Sequence, residues 1–212
     1  MTIQQVFIVR HGETDYNLSG RWQGHLDIPL NKLGREQAHR VAEALAPRGL
    51  QAVYSSDLSR ALETAQIIAA RCGLHQVRTD KRLRELNCGV FQGLTRSEIA
   101  ATYPLEQTHW DHNDDYVIPN GESRLQVQAR VHDFWNFLVA RETAETIAIV
   151  SHGGTIRWLL NKMFDRALID GCPFVNTSVT LLERQGHAWK LVMLADTSHL
   201  VDHSRRGDLR VL

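Results

Sequence analysis

Residues 6–14 read VFIVRHGET and decide the fold. The four apolar residues 6–9, which include two Val and one Ile, are typical of a strand that is covered on both faces of a parallel sheet. Arg10 and His11 follow where this strand ends, and Gly12 lets the backbone approach a bound group closely. Open α/β sheets bind ligands at the carboxyl ends of their strands, so the stretch predicts a binding site there. An exposed imidazole is a nucleophile, and the neighbouring arginine favours an anionic partner such as a phosphoryl group.

Residues 146–157, TIAIVSHGGTIR, repeat this arrangement further along the chain. His152 follows a second buried strand, and Gly153 and Gly154 begin a helix whose N–H groups we expect to donate, with His152, to phosphate oxygens. Each Arg-His-Gly or Ser-His-Gly stretch alone also fits a strand that ends in a polar turn. The chain has neither a Gly-x-x-x-x-Gly-Lys loop nor a Gly-x-Ser-x-Gly elbow, so the usual signatures of nucleoside triphosphate enzymes and serine hydrolases are missing.

Residues 52–65 predict a short strand that breaks into a helix, with Ser56 or Asp57 as the N-cap. Arg60 then lies in the first helical turn and leans toward the helix N-terminus, where unpaired N–H groups already favour anions. The alternative for Arg60 is a solvated surface arginine. Its position at a junction between strand and helix favours the binding role.

Residues 83–94 form an apolar loop with glycines that contains one carboxylate, Glu85. A phosphate dianion nearby favours the protonated carboxyl group, which can then donate a proton to a leaving oxygen. The alternative for Glu85 is a salt bridge to Arg82 or Arg84.

The joint occurrence of these segments resembles the histidine phosphatase superfamily, the phosphoglycerate-mutase-like enzymes. The resemblance spans nearly the whole chain and includes residues 21–30 and the PNGES segment at 119–123. It implies that one histidine becomes phosphorylated, that the second histidine and two arginines bind the phosphoryl oxygens, and that one carboxyl group serves as acid and base. In that order these residues are His11, His152, Arg10, Arg60 and Glu85. The expected substrate-binding residues are Asn17, Gln23, Gly24 and Gly153.

The fold that follows is α/β, a three-layer α/β/α sandwich with a mostly parallel sheet. Residues 178–183 and 188–194 predict a hairpin, which makes one edge strand antiparallel to its neighbour. Asn31 is the expected N-cap of one helix, and Ser123 with Gln126 has the spacing of a capping box at the start of another. We expect a single domain over residues 1–212 with a small inserted cap at roughly 90–120.

The function implied by the resemblance is that of a phosphomonoesterase of the histidine acid type, which needs no metal or other cofactor because arginines and a histidine supply the charge. Its expected partner is a small-molecule phosphate monoester. A phosphoglycerate mutase is the first alternative, but in that branch a basic residue typically follows the acid and the chain is longer. Leu86 and Asn87 follow Glu85 here, and the connector at 95–120 is short, so we rank phosphatase above mutase. A regulatory module that binds phosphate without turnover is the second alternative.

Composition limits the remaining function classes. The 212 residues are 43% hydrophobic, enough for a sizeable core, and 24 basic side chains balance 24 acidic ones, so nothing indicates a nucleic-acid partner or a membrane surface. No charged leader or long apolar run is present, and the three cysteines are expected to be reduced, which predicts a cytoplasmic location. A homodimer is one option for assembly. His109, Asp111 and His112 superficially resemble metal ligands, but we expect a polar cap loop there. The aromatic candidates for the pocket rim are Trp22, Phe91, Tyr103, Trp110 and Tyr116.

Overall fold

The computed structural model describes residues 2–201, and a six-stranded sheet runs through the middle of this part of the chain. The strands are β1 (Gln5–Arg10), β2 (Ala52–Ser55), β3 (Val77–Thr79), β4 (Thr146–Ser151), β5 (Val179–Gln185) and β6 (Ala188–Asp196). Their order across the sheet is β3-β2-β4-β1-β5-β6.

The sheet is mostly parallel, as predicted. Strands β3, β2, β4 and β1 pair in parallel, and β5 is antiparallel both to β1 and to β6. The predicted hairpin is therefore confirmed, with β6 as the edge strand antiparallel to its neighbour. In the register of β1 with β4, Arg10 is paired with Ser151. The residues that follow these two strands, His11 and His152, therefore lie side by side at the carboxyl edge of the sheet.

Helices cover both faces of the sheet, which confirms the three-layer sandwich. They are α1 (Asp15–Leu18), α2 (Lys32–Leu45), α3 (Ser59–Arg71), α4 (Arg96–Thr102), α5 (Pro104–His112), α6 (Arg124–Arg141), α7 (Gly153–Asn161) and α8 (Arg166–Asp170). Alternate residues of the central strands point to opposite faces, so β1 contributes Phe7 and Val9 to the core under α2 and α3. It contributes Val6 and Ile8 to the core under α6 and α7.

The helix starts agree with the sequence at two of three predicted N-caps. Asn31 Oδ1 accepts from Gly34 N at 2.8 Å, and Ser123 forms the predicted capping box. The prediction for α3 was wrong, because this helix begins at Ser59 after a Leu58 N-cap that makes no side-chain hydrogen bond. Asp27, distant in sequence, accepts from Ser59 N at 2.7 Å and so takes over the task of a local cap.

Residues 90–120 contain α4 and α5 and form a small core together with Leu86, Cys88, Val127 of α6 and Trp158 of α7. Phe91, Ile99, Trp110 and Ile118 are buried there. The polar loop expected at residues 109–112 is instead the last turn of α5, because Trp110 is buried in that core and anchors the turn. The division into one domain with an inserted cap stays a prediction. No helix within residues 2–201 has the length and apolar character that a membrane crossing needs.

Candidate active site

His11 follows the last residue of β1, and its ring is buried, with 2% of the residue exposed. Nδ1 lies 2.6 Å from the carbonyl oxygen of Gly12. A carbonyl only accepts hydrogen bonds, so Nδ1 carries the hydrogen and a neutral ring has its lone pair on Nε2. Burial, then the charges of Arg60 and Arg10, hold the pKa of His11 well below its usual value. The free imidazole is therefore the stable form of this ring.

His152, after β4, packs against this ring, and the two ring centroids are 5.0 Å apart. The residue is fully buried, and neither ring nitrogen has a hydrogen-bond partner within residues 2–201. Burial, then the charge of Arg60, lowers the pKa of His152 well below its usual value. Buried polar atoms nearly always have partners, so the unpaired nitrogens point to a ligand or water.

Arg10 and Arg60 supply positive charge near His11 in the same cavity. Arg10 Nη1 donates to Phe174 O at 2.6 Å, while the Arg60 guanidinium donates to Gly24 O and Leu26 O at 2.9 and 2.8 Å. Neither arginine makes a salt bridge to a carboxylate within the described part of the chain, and each has a buried Nε without a partner. Burial lowers the pKa of Arg60 to about 10, which leaves it cationic at neutral pH. Because Arg60 is 1% exposed, the alternative of a solvated surface arginine is wrong.

Glu85 is bound by the N-terminus of α7. Its Oε2 accepts from Gly154 N at 3.2 Å, and its Oε1 accepts from Thr155 N at 3.1 Å and from Leu86 N at 2.9 Å. The expectation that these helix amides remain open for phosphate was wrong. The carboxylate occupies them because a helix N-terminus stabilises negative charge.

The two neighbouring arginines do not pair with Glu85. Arg82 forms its salt bridge with Asp80 at 2.6 Å, and Arg84 forms one with Asp57, also at 2.6 Å. The salt-bridge alternative for Glu85 is therefore wrong, and its carboxylate faces the cavity.

Three of the four predicted substrate-binding residues line the cavity beside His11. Asn17 accepts from Thr14 N at 3.2 Å, and Gln23 has a buried Oε1 without a partner in the described residues. Gly24 adopts a φ of 51°, in the left-handed region, and presents its carbonyl to Arg60. Gly153 does not line the cavity; a Cβ built on it would lie 3.5 Å from Arg10 Nε.

The cavity that contains His11 has a volume of about 770 Å³. Arginines that the sequence analysis did not predict line its outer part. Arg124 and Arg166 both pair with Asp114, at 3.2 and 2.8 Å, and Arg166 also pairs with Asp170 at 2.9 Å. These ion pairs connect three segments at the mouth of the cavity: α6, α8 and the loop that follows α5. Arg157 also lines the cavity, and the sequence did contain a signal for it. It lies one helical turn after Gly153 and so shares the face of that residue on α7.

Two of the five aromatic rim candidates, Trp22 and Trp110, line the cavity. Phe91 is fully buried and packs edge-on to Trp22, with ring centroids 5.8 Å apart. Tyr103 and Tyr116 pack against the same small core and do not line the cavity. Cys88 does line it, but burial raises the pKa of its thiol, so it stays protonated.

No group of three or more His, Cys, Asp or Glu side chains within residues 2–201 has the arrangement of a metal site. The chain is an α/β protein that has two buried histidines and two arginines at its pocket. Neither arginine has a carboxylate partner in the described residues, and such a pocket suits an anion. The chain belongs to the histidine phosphatase superfamily (branch 1), whose family model matches residues 6–197.

Named relatives and solved structures within this family cover most of the chain. The Phosphoglycerate mutase-like protein 4 of Arabidopsis thaliana is 40% identical over 203 residues, which are 92% of this chain and 86% of that protein. The Glucosyl-3-phosphoglycerate phosphatase of Mycobacterium tuberculosis is 40% identical over 164 residues, 74% of this chain and 73% of that protein. A solved structure of the mycobacterial glucosyl-3-phosphoglycerate phosphatase complexed with VO3 superposes with a TM-score of 0.81 at 37% identity, covering 92% and 100% of the two chains.

Proposed function

We propose that the protein is a metal-independent phosphomonoesterase that hydrolyses a small phosphorylated metabolite through a phosphohistidine on His11. One observation carries the proposal. The ring of His11 is buried, its lone pair is on Nε2, and it shares the cavity with two arginines that have no carboxylate partner in the described residues. A phosphate monoester carries about −1.5 to −2 charges at neutral pH, and two guanidinium groups can balance it without a divalent cation.

In the first step, Nε2 of His11 attacks phosphorus and the bond from phosphorus to the ester oxygen breaks. The charge of the bound phosphate dianion favours the protonated form of Glu85, which gives its proton to the departing alcohol oxygen. Arg10, Arg60 and His152 hold the three phosphoryl oxygens, so that positioning and electrostatics provide most of the acceleration. The arriving dianion favours a proton on His152, whose ring nitrogens then both donate.

In the second step, water attacks phosphorus on the phosphohistidine. Glu85, now a carboxylate, takes a proton from this water, and the bond between phosphorus and Nε2 breaks. His11 returns to its neutral form and inorganic phosphate leaves. The enzyme ends each cycle with Glu85 protonated and ready for the next ester.

Two observations favour hydrolysis over mutase activity. Leu86, which follows Glu85, is an apolar residue that lines the cavity, where the mutase branch typically has a basic residue. The connector at residues 95–120 is short and holds the small helices α4 and α5. The substrate class is in line with the relatives, one of which is named for a glucosylated phosphoglycerate. The acid-phosphatase subclass, a cytoplasmic location and a homodimer stay predictions.

The decisive experiment traps the intermediate. The protein is mixed with a ³²P-labelled or unlabelled phosphate monoester, quenched with base, digested and analysed by mass spectrometry. We expect a phosphoryl group on His11 that is stable in base and labile in acid, together with release of phosphate.

The matched variants are His11→Asn, which should carry no label, and His39→Asn on the exposed surface of α2, which should be labelled like the wild type. Binding of inorganic phosphate without any label or turnover would contradict the proposal and favour the regulatory module. Efficient interconversion of 3- and 2-phosphoglycerate with negligible phosphate release would favour the mutase.

A further inference from the structure

We propose that Arg130 is a positioning residue that holds Glu85 in place to protonate the leaving group. The inference rests on the proposed function, since it assigns a residue to the acid step of that reaction. Arg130 belongs to α6 and does not line the cavity, so it acts without touching the substrate.

The guanidinium of Arg130 binds the backbone of the segment that ends at Glu85. Nη1 donates to the carbonyl oxygens of Arg82 and Arg84, each at 2.7 Å, and Nη2 donates to the carbonyl oxygen of Glu85 at 2.9 Å. One planar group thus ties three of four consecutive carbonyls to α6. This geometry uses the fixed fork of donors that distinguishes arginine from lysine.

Glu122 holds that guanidinium from its other side. Arg130 Nε donates to Glu122 Oε1 at 2.9 Å and Nη2 to Oε2 at 3.0 Å, and the two side chains are 18% and 22% exposed. Glu122 Oε2 also accepts from Asn87 N at 2.9 Å. The pair therefore binds the backbone on both sides of Glu85.

The other contacts of this segment show why Arg130 is central. Ser151 Oγ donates to Leu83 O at 2.8 Å, and Thr155 Oγ1 donates to Arg84 O at 2.7 Å. The carbonyl of Arg82 has Arg130 as its only partner in the described residues. Loss of Arg130 leaves this carbonyl unpaired and removes one of two donors from the carbonyl of Glu85, whose remaining donor is His25 Nε2 at 2.9 Å.

A displaced acid has a specific kinetic signature. An alkyl phosphate needs a proton on its departing oxygen, whereas p-nitrophenolate leaves without one because it is a stable anion. The value of kcat/KM reports steps up to departure of the alcohol, so it separates this effect from the later attack of water. Loss of fold or of phosphate binding lowers both substrates equally.

The test compares kcat/KM for an alkyl phosphate and for p-nitrophenyl phosphate in the wild type, Glu85→Gln and Arg130→Met. Removal of a general acid typically costs about 10²–10⁴-fold, and displacement costs less. We therefore expect Arg130→Met to lower the alkyl value about 10- to 100-fold, and the aryl value less than about 3-fold. Inhibition by inorganic phosphate should stay at the wild-type level, and Arg130→Lys should recover only part of the loss.

Arg78→Met is the matched control, because Arg78 likewise pairs with a glutamate, Glu142, but lies outside the cavity and makes no bond to the Glu85 segment. Its substrate ratio should equal that of the wild type. Should Arg130→Met not fold, the same ratio is measured in Arg130→Lys. An equal loss for both substrates, or no loss, overturns the inference. Phosphorylation of His11 in the wild type then shows whether the proposed function itself survives.

Discussion

His11 and His152 follow neighbouring strands in nearly the same sequence, VRHG and VSHG, yet their rings have different surroundings. The ring of His11 is anchored by its bond to Gly12 O, which leaves the lone pair of the neutral ring on Nε2. The ring of His152 has no partner on either nitrogen in the described part of the chain, so both remain available to a ligand. The similar local sequences thus place both histidines at the same edge of the sheet. The chemistry of each ring depends on the groups that surround it.

The two histidines also differ in the structure of the chain that follows them. After His11 it forms a loop, and Gly12 packs against the backbone of Gly34 in α2. After His152 it turns directly into α7, whose first amides bind Glu85. In the proposed mechanism, the first turn therefore provides the nucleophile, whereas the second supports the acid.

The largest expected effect comes from replacing each histidine by asparagine. His11→Asn should lower kcat/KM by about 10⁵-fold or more, as loss of a nucleophile does in other enzymes. His152→Asn should cost about 10²–10³-fold, the range for one oxyanion donor. Steady-state kinetics with an aryl phosphate measures both, and equal losses would show that the two rings do not differ in role.

A smaller effect is expected from the glycine that follows each histidine. A Cβ on Gly12 would lie 2.3 Å from Gly34 O, whereas a Cβ on Gly153 would meet its nearest atom, Arg10 Nε, at 3.5 Å. Gly12→Ala should therefore lower the free energy of unfolding by about 1–3 kcal/mol, as overpacking does. Gly153→Ala should be neutral or slightly stabilising, because alanine favours helix. Urea titration gives both values, and a destabilisation of similar size in the two variants would contradict the contrast.

The smallest expected effect is on the pH dependence of stability. Burial, then Arg60, lowers the pKa of both histidines, so the unfolded chain binds more protons than the folded one once the pH falls below about 6.5. The free energy of unfolding should therefore decrease with falling pH in this range. His152→Asn should make the decrease shallower by at most one proton, about 1.4 kcal/mol per pH unit.

His39→Asn, on an exposed surface, is the control for that measurement. Denaturant titrations at several pH values between 7 and 4.5 supply the slopes. If His152→Asn leaves the slope unchanged while His11→Asn lowers it, only the anchored ring is neutral in the folded protein, and the expectation that the pKa of both rings is lowered fails.

The sequence predicted much of this arrangement. The apolar strands and the histidines that follow them gave the sheet edge, the resemblance gave the family, and both are confirmed. The structure brings Arg10, His11, Arg60 and Glu85 to one cavity with His152 against His11, although their roles stay predictions. The cap of α3 and the partners of the α7 amides were predicted wrongly. Both errors concern hydrogen bonds to residues far along the chain, Asp27 and Glu85.

By itself, the sequence determined the strands and helices whose ends carry the two histidines, though not α4 or α5. These elements depend on the alternation of apolar residues and on turn-forming residues within a few positions. Only the tertiary structure decided which donor each polar group takes, such as the bond from Arg130 to the carbonyl of Glu85. Such bonds are directional and act over about 3 Å. Their partners are therefore known only once distant parts of the chain have packed together.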